Sequence, residues 1–309
     1  SMSKVWAVKH RPSLDEVVGQ KHVVDAVTTA INLIKRGDSL AHQPLPHMIF
    51  YSAKPGTGKT SMAHAIAEET GYALHVFNAS SKRTRGIDFV EEELLPMSRN
   101  GNAQQIFLLD EADQLTPAAQ SALKGVIENA FGIFILTCND FSKITEWIKS
   151  RCLTLEFPPI DADDMKVRLL KIVGKEGVDI CDERLSMIVR AHEGDLRASI
   201  NALQAYHTLP EDKRMPFLHS LFDEGFASQD FLTLCFRDKD FESAHALFKG
   251  QDQPRRIIRS IFRYAMQSNA QASSKLVVID ASCTAERDYI MGVEPTIILA
   301  NFVRMCVNG

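Results

Sequence analysis

Ala53-Lys54-Pro55-Gly56-Thr57-Gly58-Lys59-Thr60 is the stretch that decides how this chain folds. It follows an apolar run, Met48-Ile49-Phe50-Tyr51, and leads into Ser61-Met62-Ala63-His64-Ala65-Ile66-Ala67, whose composition suits a helix. A strand, a glycine-bearing turn and a helix opening on Gly-Lys-Thr make a cradle for phosphate. Gly56 and Gly58 let the backbone curl so that successive N–H groups converge, and the helix N-terminus adds positive potential. Lys59 is then placed to reach the outer phosphates of a nucleotide, and the Thr60 hydroxyl to ligate Mg2+. Pro55, Thr57 and Ser61 complete the nucleotide-facing stretch. The strict pattern has glycine where this chain has Ala53, so the flanking strand and helix carry the reading.

The acidic partner is Ile106-Phe107-Leu108-Leu109-Asp110-Glu111-Ala112-Asp113. Four apolar residues ending in two carboxylates describe a buried strand that delivers charge at its carboxyl end, where α/β sheets bind ligands. Asp110 is placed to hold the water shell of Mg2+, and Glu111 to polarise the attacking water as general base. Alone, such acids would be read as a solvated turn. Paired with Gly58-Lys59-Thr60 upstream, they mark an ATP-hydrolysing site.

At 309 residues the chain is long enough for two or three domains. A hydrophobic share of 45% and a charged share of 24% are ordinary for a globular protein. No apolar run approaches the ~20 residues that span a bilayer, and no signal-peptide pattern opens the chain. Six scattered cysteines, with no Cys-x-x-Cys pair, read as thiols in a reducing compartment. The expected location is therefore intracellular, in the cytoplasm or nucleus, which includes a host cytoplasm if the chain is encoded by a virus of the cell. A net charge of −4 excludes a generally basic coat, so nucleic-acid contact needs a local patch or many copies together.

Strands are expected at 47–52, 73–77, 105–110, 133–138 and 153–157, alternating with helices at 59–70, 87–98, 116–129 and 142–149. That alternation predicts an α/β domain with a parallel sheet covered on both faces, over residues 1–157. Pro158-Pro159 ends it. Helical periodicity at 161–174, 182–192 and 195–207 predicts a small helical lid, 158–212, with a second break around Pro210–Pro216. The remainder, 213–309, reads as all-helical.

Further residues have the placement that ATP chemistry needs. Asn139 ends the apolar strand Phe134-Ile135-Leu136-Thr137-Cys138, where it orients the lytic water or touches the γ-phosphate, unless it is a plain turn residue. Arg151, in Ser150-Arg151-Cys152, is poorly sited for its own phosphates but suits those of a neighbouring subunit; the alternative is a solvent-facing arginine at a helix end. Arg197 opens a helix after Asp195, where a cation opposes the helix dipole, and a phosphate would explain it. Near the start, Lys9, His10 and Val18 belong to a short extended segment that either clamps an adenine base or simply packs on the domain.

Taken in order, these motifs resemble the clamp-loader branch of the AAA+ ATPases, with a RecA-like nucleotide-binding domain. The similarity runs over residues 4–208 and is greatest to replication factor C small subunits and to the large subunit of T-even bacteriophage clamp loaders. Its marks include Lys9-His10-Arg11-Pro12, Val18-Gly19-Gln20, Asn78-Ala79-Ser80, Arg85-Gly86-Ile87-Asp88, Asp110-Glu111-Ala112-Asp113, Ser150-Arg151-Cys152 and Gly194-Asp195-Leu196-Arg197. His10 stands where a tyrosine is common. The resemblance implies a five-membered ring of like or unlike subunits joined by a C-terminal helical collar. It also implies ATP and Mg2+ between neighbours, Arg151 acting in trans, and a sliding clamp and primer–template DNA as partners.

Lys82, Arg83 and Arg85 lie within four residues of one another with no aromatic between them. They are a solvated loop or a sequence-independent phosphate contact, and the resemblance favours the latter. It also makes Asn78 and Gln120 candidate relays from DNA to the catalytic carboxylate, although Gln120 reads equally as a surface residue. The clamp is expected at Leu94-Leu95-Pro96-Met97 and Asn100-Gly101-Asn102, residues that also suit a core. A helicase loader or branch-migration ATPase would keep every phosphate contact. Such a motor would tend to add aromatic pore loops or a winged helix, and neither is found. A non-catalytic scaffold subunit or a plain DNA-binding module does not need the intact catalytic set.

Overall fold

Unbroken runs of branched and aromatic residues make strands that can be buried on both faces, which is what a parallel sheet requires. The computed structural model describes residues 5–35, 45–101, 103–223, 226–251 and 253–309. Five strands form one parallel sheet: β1 (Met48–Tyr51), β2 (Ala73–Asn78), β3 (Gln105–Asp110), β4 (Ile133–Cys138) and β5 (Leu153–Glu156). Their order is β2-β3-β4-β1-β5. The register sets Tyr51 beside Cys138 and Asn78 beside Asp110, so the carboxyl ends of β1, β3 and β4 meet along one edge.

Successive strand residues point to opposite faces, and two separate cores result. Phe50, Leu108 and Ile135 pack with Met62, Ala63 and Ile66 of the helix Lys59–Thr70. Ile49, Phe107 and Leu136 pack on the other side with Leu123, Val126 and Ile127 of the helix Pro117–Glu128. A helical run over 87–99 includes a wide π-turn at Val90–Leu94. Leu94 is fully buried there, and Leu95 and Met97 pack against the same core. Leu95 and Met97 remain half-exposed and Pro96 is exposed, and Asn102 lies outside the described residues.

Three expectations change. The N-terminal segment, read as extended, contains a one-turn helix Trp6–Lys9 and a 3-10 turn Leu14–Glu16. Burial of Trp6, whose N–H donates to Gln204 Oε1 (2.9 Å), holds it. The helix expected at 142–149 is split into a 3-10 turn, Phe141–Lys143, and a short helix, Glu146–Lys149, because Gln120 grips Lys143 O and Thr145 N–H across the extended Ile144–Thr145 link. The break around Pro210–Pro216 is only a short interruption: Glu211–Asp223 runs as a helix through Pro216, which forgoes one backbone hydrogen bond.

The chain divides into two compact units, Ser1–Cys181 with His192–Ala205, and Asp182–Ala191 with Tyr206–Gly309. The second is helical throughout its described residues. Its core gathers Phe226, Phe231, Phe248 and Phe302, and Glu286 accepts hydrogen bonds from both Arg255 and Arg259, which hold its carboxyl down at about 2.

In the first unit His47, just ahead of β1, is 8% exposed, and its Nδ1 accepts from the Phe134 N–H (3.0 Å). Burial holds its pKa down at about 4 against an ordinary 6.5. Between those values the unfolded chain binds more protons than the folded one. Stability is thus full above about pH 6.5 and declines as the pH falls toward 4, by at most about 3 kcal/mol. In His47→Asn, which keeps an acceptor for Phe134 but cannot titrate, denaturant unfolding should lose less stability over that window than the wild type.

Candidate nucleotide site

The turn after β1 brings the backbone around through two left-handed glycines, Gly56 (φ +70°) and Gly58 (φ +99°). A Cβ on Gly56 would fall 1.6 Å from Asp195 Oδ1, so only glycine lets the turn approach Asp195-Leu196-Arg197. That approach is bonded: Leu196 N–H donates to Gly56 O (2.9 Å), while Asp195 Oδ1 caps its helix by accepting from Ala198 N–H (3.0 Å).

A cleft of about 160 Å3 at the strand ends is lined by Lys59, Thr60, Asp110, Glu111, Asn139 and Arg197, together with Pro55, Gly56 and Asn78. Lys59 Nζ donates to Asn139 Oδ1 (2.9 Å) and to Lys54 O (3.4 Å). Both partners are neutral, and burial pulls the lysine pKa down. A buried ammonium with no bonded anion is well matched to phosphate oxygens. Asp110 Oδ1 accepts from the Thr60 hydroxyl (2.8 Å) and the Thr137 hydroxyl (2.7 Å). Thr137 Oγ1 in turn accepts from Glu111 N–H (3.1 Å). Glu111 adopts a left-handed backbone (φ 55°, ψ 45°), uncommon for a residue with a side chain, and its carboxylate is exposed at the cleft.

A second hollow, of about 60 Å3, adjoins the same glycine turn. Its lining includes His10, Val18, Gly56, Thr57, Gly58 and Ser61, with apolar walls from Val17, Ile160, Leu196 and Ile200. Two of its lining residues carry a buried polar atom without a protein partner, Thr57 Oγ1 and Arg168 Nε, as does Gln20 at Oε1, outside the lining. Gln20 also donates to Thr57 O (3.1 Å) and Pro158 O (2.8 Å). Unpaired buried polar groups are rare in a finished core and suit a ligand's contact surface.

Every phosphate-end residue anticipated from the sequence meets at these two hollows. Lys9 does not: it lies outside both linings, and its ammonium pairs with Glu176 (2.6 Å). Arg151 also lies outside them. It pairs with Glu128, donates to Trp147 O (3.0 Å) and lies over the Trp147 ring at 5.0 Å. Gln120 is buried, donating to Lys143 O (2.8 Å) and accepting from Thr145 N–H (2.9 Å), so it is no surface glutamine. Asn78 Oδ1 accepts from Ser80 N–H (2.9 Å). Lys82, Arg83 and Arg85 are exposed on one loop; Arg83 pairs with Glu93 (2.5 Å), and Arg85 O accepts from Thr116 N–H (2.9 Å). Sequence reading missed Thr137 and Arg168: the first looks like any β-branched strand residue, the second like a charge on an amphipathic helix.

Residues 49–159 match the ATPase family associated with various cellular activities (AAA). The replication factor C small subunit of Aeropyrum pernix is 36% identical over 214 residues, 66% of this chain and 63% of that protein. That of Archaeoglobus fulgidus is 37% identical over 67% of this chain and 65% of its own length. The chain thus spans just under two thirds of both. The replication factor C small subunit of Methanocella arvoryzae is 32% identical over 86% of each chain. Among solved structures, Thermotoga maritima RuvB, a Holliday junction branch migration motor, superimposes with a TM-score of 0.56 at 18% identity, covering 83% of this chain and 90% of that one. That likeness concerns the fold alone.

Thr137→Val keeps the shape of a buried strand residue and removes the hydroxyl that joins Asp110 to Glu111. Nucleotide affinity in a fluorescent-nucleotide titration should hold within about threefold, while the hydrolysis rate drops by about 10- to 100-fold. Parallel loss of both would mean that Thr137 merely supports the fold.

Proposed function

Since this chain belongs to the replication factor C small-subunit family of AAA ATPases, we propose that it is an ATP-hydrolysing subunit of a sliding-clamp loader. The observation that carries the reading is the convergence of Lys59, Thr60, Asp110, Glu111 and Asn139 on one cleft beside the glycine turn. Lys59 binds the β- and γ-phosphates, and Asn139, already bonded to it, faces the γ-phosphate end. Glu111 takes up the proton of the attacking water as general base. Thr60 and Asp110 offer oxygen donors only, a set that fits Mg2+. When bound, Mg2+ neutralises charge on the phosphate oxygens.

Arg197 reads the γ-phosphate from the lid side of the same cleft, and 158–212 serves as the lid, with 213–309 as the collar of a five-membered ring. Arg151 completes the pocket of the next subunit. Its absence from the lining of its own cleft supports this, because a guanidinium at a rim can neutralise charge only across an interface. The ring in its ATP form opens the clamp around primer–template DNA, and hydrolysis releases it closed. ATP can drive this only through contacts that ADP does not make, and Arg151 and Arg197 supply them.

Lys82, Arg83 and Arg85 grip DNA phosphates without reading sequence. Arg85 abuts Thr116, the cap of the helix that carries Gln120, and Gln120 fixes the chain just ahead of the turn holding Arg151. Asn78 lines the cleft from the end of β2. This succession supports a relay from DNA to the ATP site. A branch-migration motor is disfavoured, because relatives matched over 86–88% of their length at 30–32% identity are named replication factor C small subunits while the likeness to RuvB stands at 18%.

The test is ATP turnover by the assembled oligomer with clamp, with primed DNA, and with both. A loader should respond synergistically, with the combined stimulation exceeding the product of the separate ones; indifference to the clamp would favour another motor. Arg151→Ala should abolish the stimulated rate while each chain still binds ATP. Neutralising Lys82, Arg83 and Arg85 together should lower the DNA-stimulated rate more than the rate without DNA, and equal losses would contradict the phosphate contact.

A further inference from the structure

Gln120, Lys124 and Glu128 follow one another at intervals of four along the helix Pro117–Glu128, so their side chains stand in one row. Each meets the chain between β4 and β5, and in sequence order. Gln120 donates to Lys143 O (2.8 Å) and accepts from Thr145 N–H (2.9 Å). Lys124 Nζ lies 3.2 Å from the centroid of the Trp147 ring. Glu128 pairs with Arg151. The row thus lays residues 143–151 along one side of the helix, and Arg151 is its far end.

The middle contact is the one that no nucleotide motif accounts for. An indole left 57% exposed adds little to a core, so burial does not explain its place. It stands on the four-residue helix Glu146–Lys149, which is too short to hold its own geometry. Two cations lie against its ring, Lys124 at 3.2 Å and Arg151 at 5.0 Å. Both are attracted by the negative face of an aromatic system. Lys124, on a helix of twelve residues packed into the core, fixes the ring, and the ring receives the guanidinium. A ring face differs from Glu128 in one respect that matters here. Glu128 occupies N–H donors that an incoming phosphate needs, whereas stacking on an indole leaves those donors free.

We propose that Trp147 is a positioning residue for Arg151, keeping hold of the guanidinium by its ring face while the N–H donors turn from Glu128 to the γ-phosphate of the neighbouring subunit. Lys124 holds the ring in place. This rests on the reading of Arg151 as acting in trans, and adds the side chain that aims it.

The test is turnover by the assembled oligomer with clamp and primed DNA, with the unfolding midpoint and the oligomer mass recorded for every variant. Trp147→Leu should lower the stimulated kcat about five- to tenfold while the KM for ATP stays within about threefold. Trp147→Phe, which keeps a ring face, should recover most of the rate. Lys124→Met, which leaves the ring without its anchor, should fall between the two. The residual rate of Arg151→Ala should drop no further when Trp147→Leu is added to it. A stimulated rate in Trp147→Leu within about twofold of the wild type would overturn the assignment, as would Trp147→Phe falling as low as Trp147→Leu. So would an oligomer lost in Trp147→Leu yet kept in Arg151→Ala, since the ring would then be an interface contact. Should Trp147→Leu fail to fold, Lys124→Met decides in its place: a lowered kcat at unchanged KM supports the assignment, and a wild-type rate overturns it. Arg151→Ala turning over like the wild type would remove the trans reading itself, an outcome distinct from a silent Trp147→Leu.

Discussion

One carboxylate oxygen, Asp110 Oδ1, holds the nucleotide site together. It takes the hydroxyls of Thr60, at the start of the helix after β1, and of Thr137, near the end of β4, while itself ending β3. Three separate elements are thereby referred to one atom. Hydrogen bonds to a charged group contribute about 1.5–3 kcal/mol each, enough to fix the strand ends against thermal slip. Thr137 passes the constraint on by accepting from Glu111 N–H, which steadies the left-handed turn that presents the Glu111 carboxylate. The parallel sheet serves this geometry, because only its register puts the three carboxyl ends side by side.

Against that fixed acid cluster the site sets two buried cations that the protein does not fully satisfy. Lys59 rests on an amide oxygen and a carbonyl, and Arg168 leaves one donor unmatched. Desolvation of this kind works against the folded chain and in favour of any ligand that supplies the missing acceptors. A phosphate beside Lys59 would be drawn in on these grounds. The glycine turn ahead of that lysine can approach Asp195 so closely because Gly56 has no side chain, which places Arg197 over the same cleft.

What could be read beforehand follows from how local each signal is. The five strands and the phosphate turn were legible because continuous apolar runs and a Gly-Lys-Thr helix start depend on neighbours in sequence. The stretch 141–149 was not, since its extended portion is imposed by Gln120 from a distant helix. The first turn at Trp6–Lys9 depends likewise on Gln204, and Pro216 breaks no helix because one lost backbone bond is tolerated where the rest of Glu211–Asp223 is paired. Thr137 and Arg168 were overlooked for a related reason. Nothing in a β-branched strand residue or a helix arginine reveals what it will face, and pairing across 27 or 158 positions is a property of the fold. Lys9 and His10 both reach Glu176, yet only His10 also lines the hollow, a difference that adjacency in sequence does not reveal.

Arg151 lies outside the cleft of its own chain and is held in place by several contacts. Its guanidinium is stacked over Trp147, bonded to the Trp147 carbonyl and the Ser150 hydroxyl, and paired with Glu128. Free, such a side chain carries about 2 kcal/mol of rotamer entropy that an incoming phosphate would have to overcome. Held at the rim, much of that is already lost in the folded subunit. The carbonyl, the hydroxyl and the indole leave it charged, and Glu128 occupies only part of its five-donor fork. On the reading proposed above, the neighbour's nucleotide then competes with Glu128 for a preformed group, and the exchange of one anion for a more highly charged one favours the assembled state only while the γ-phosphate is present.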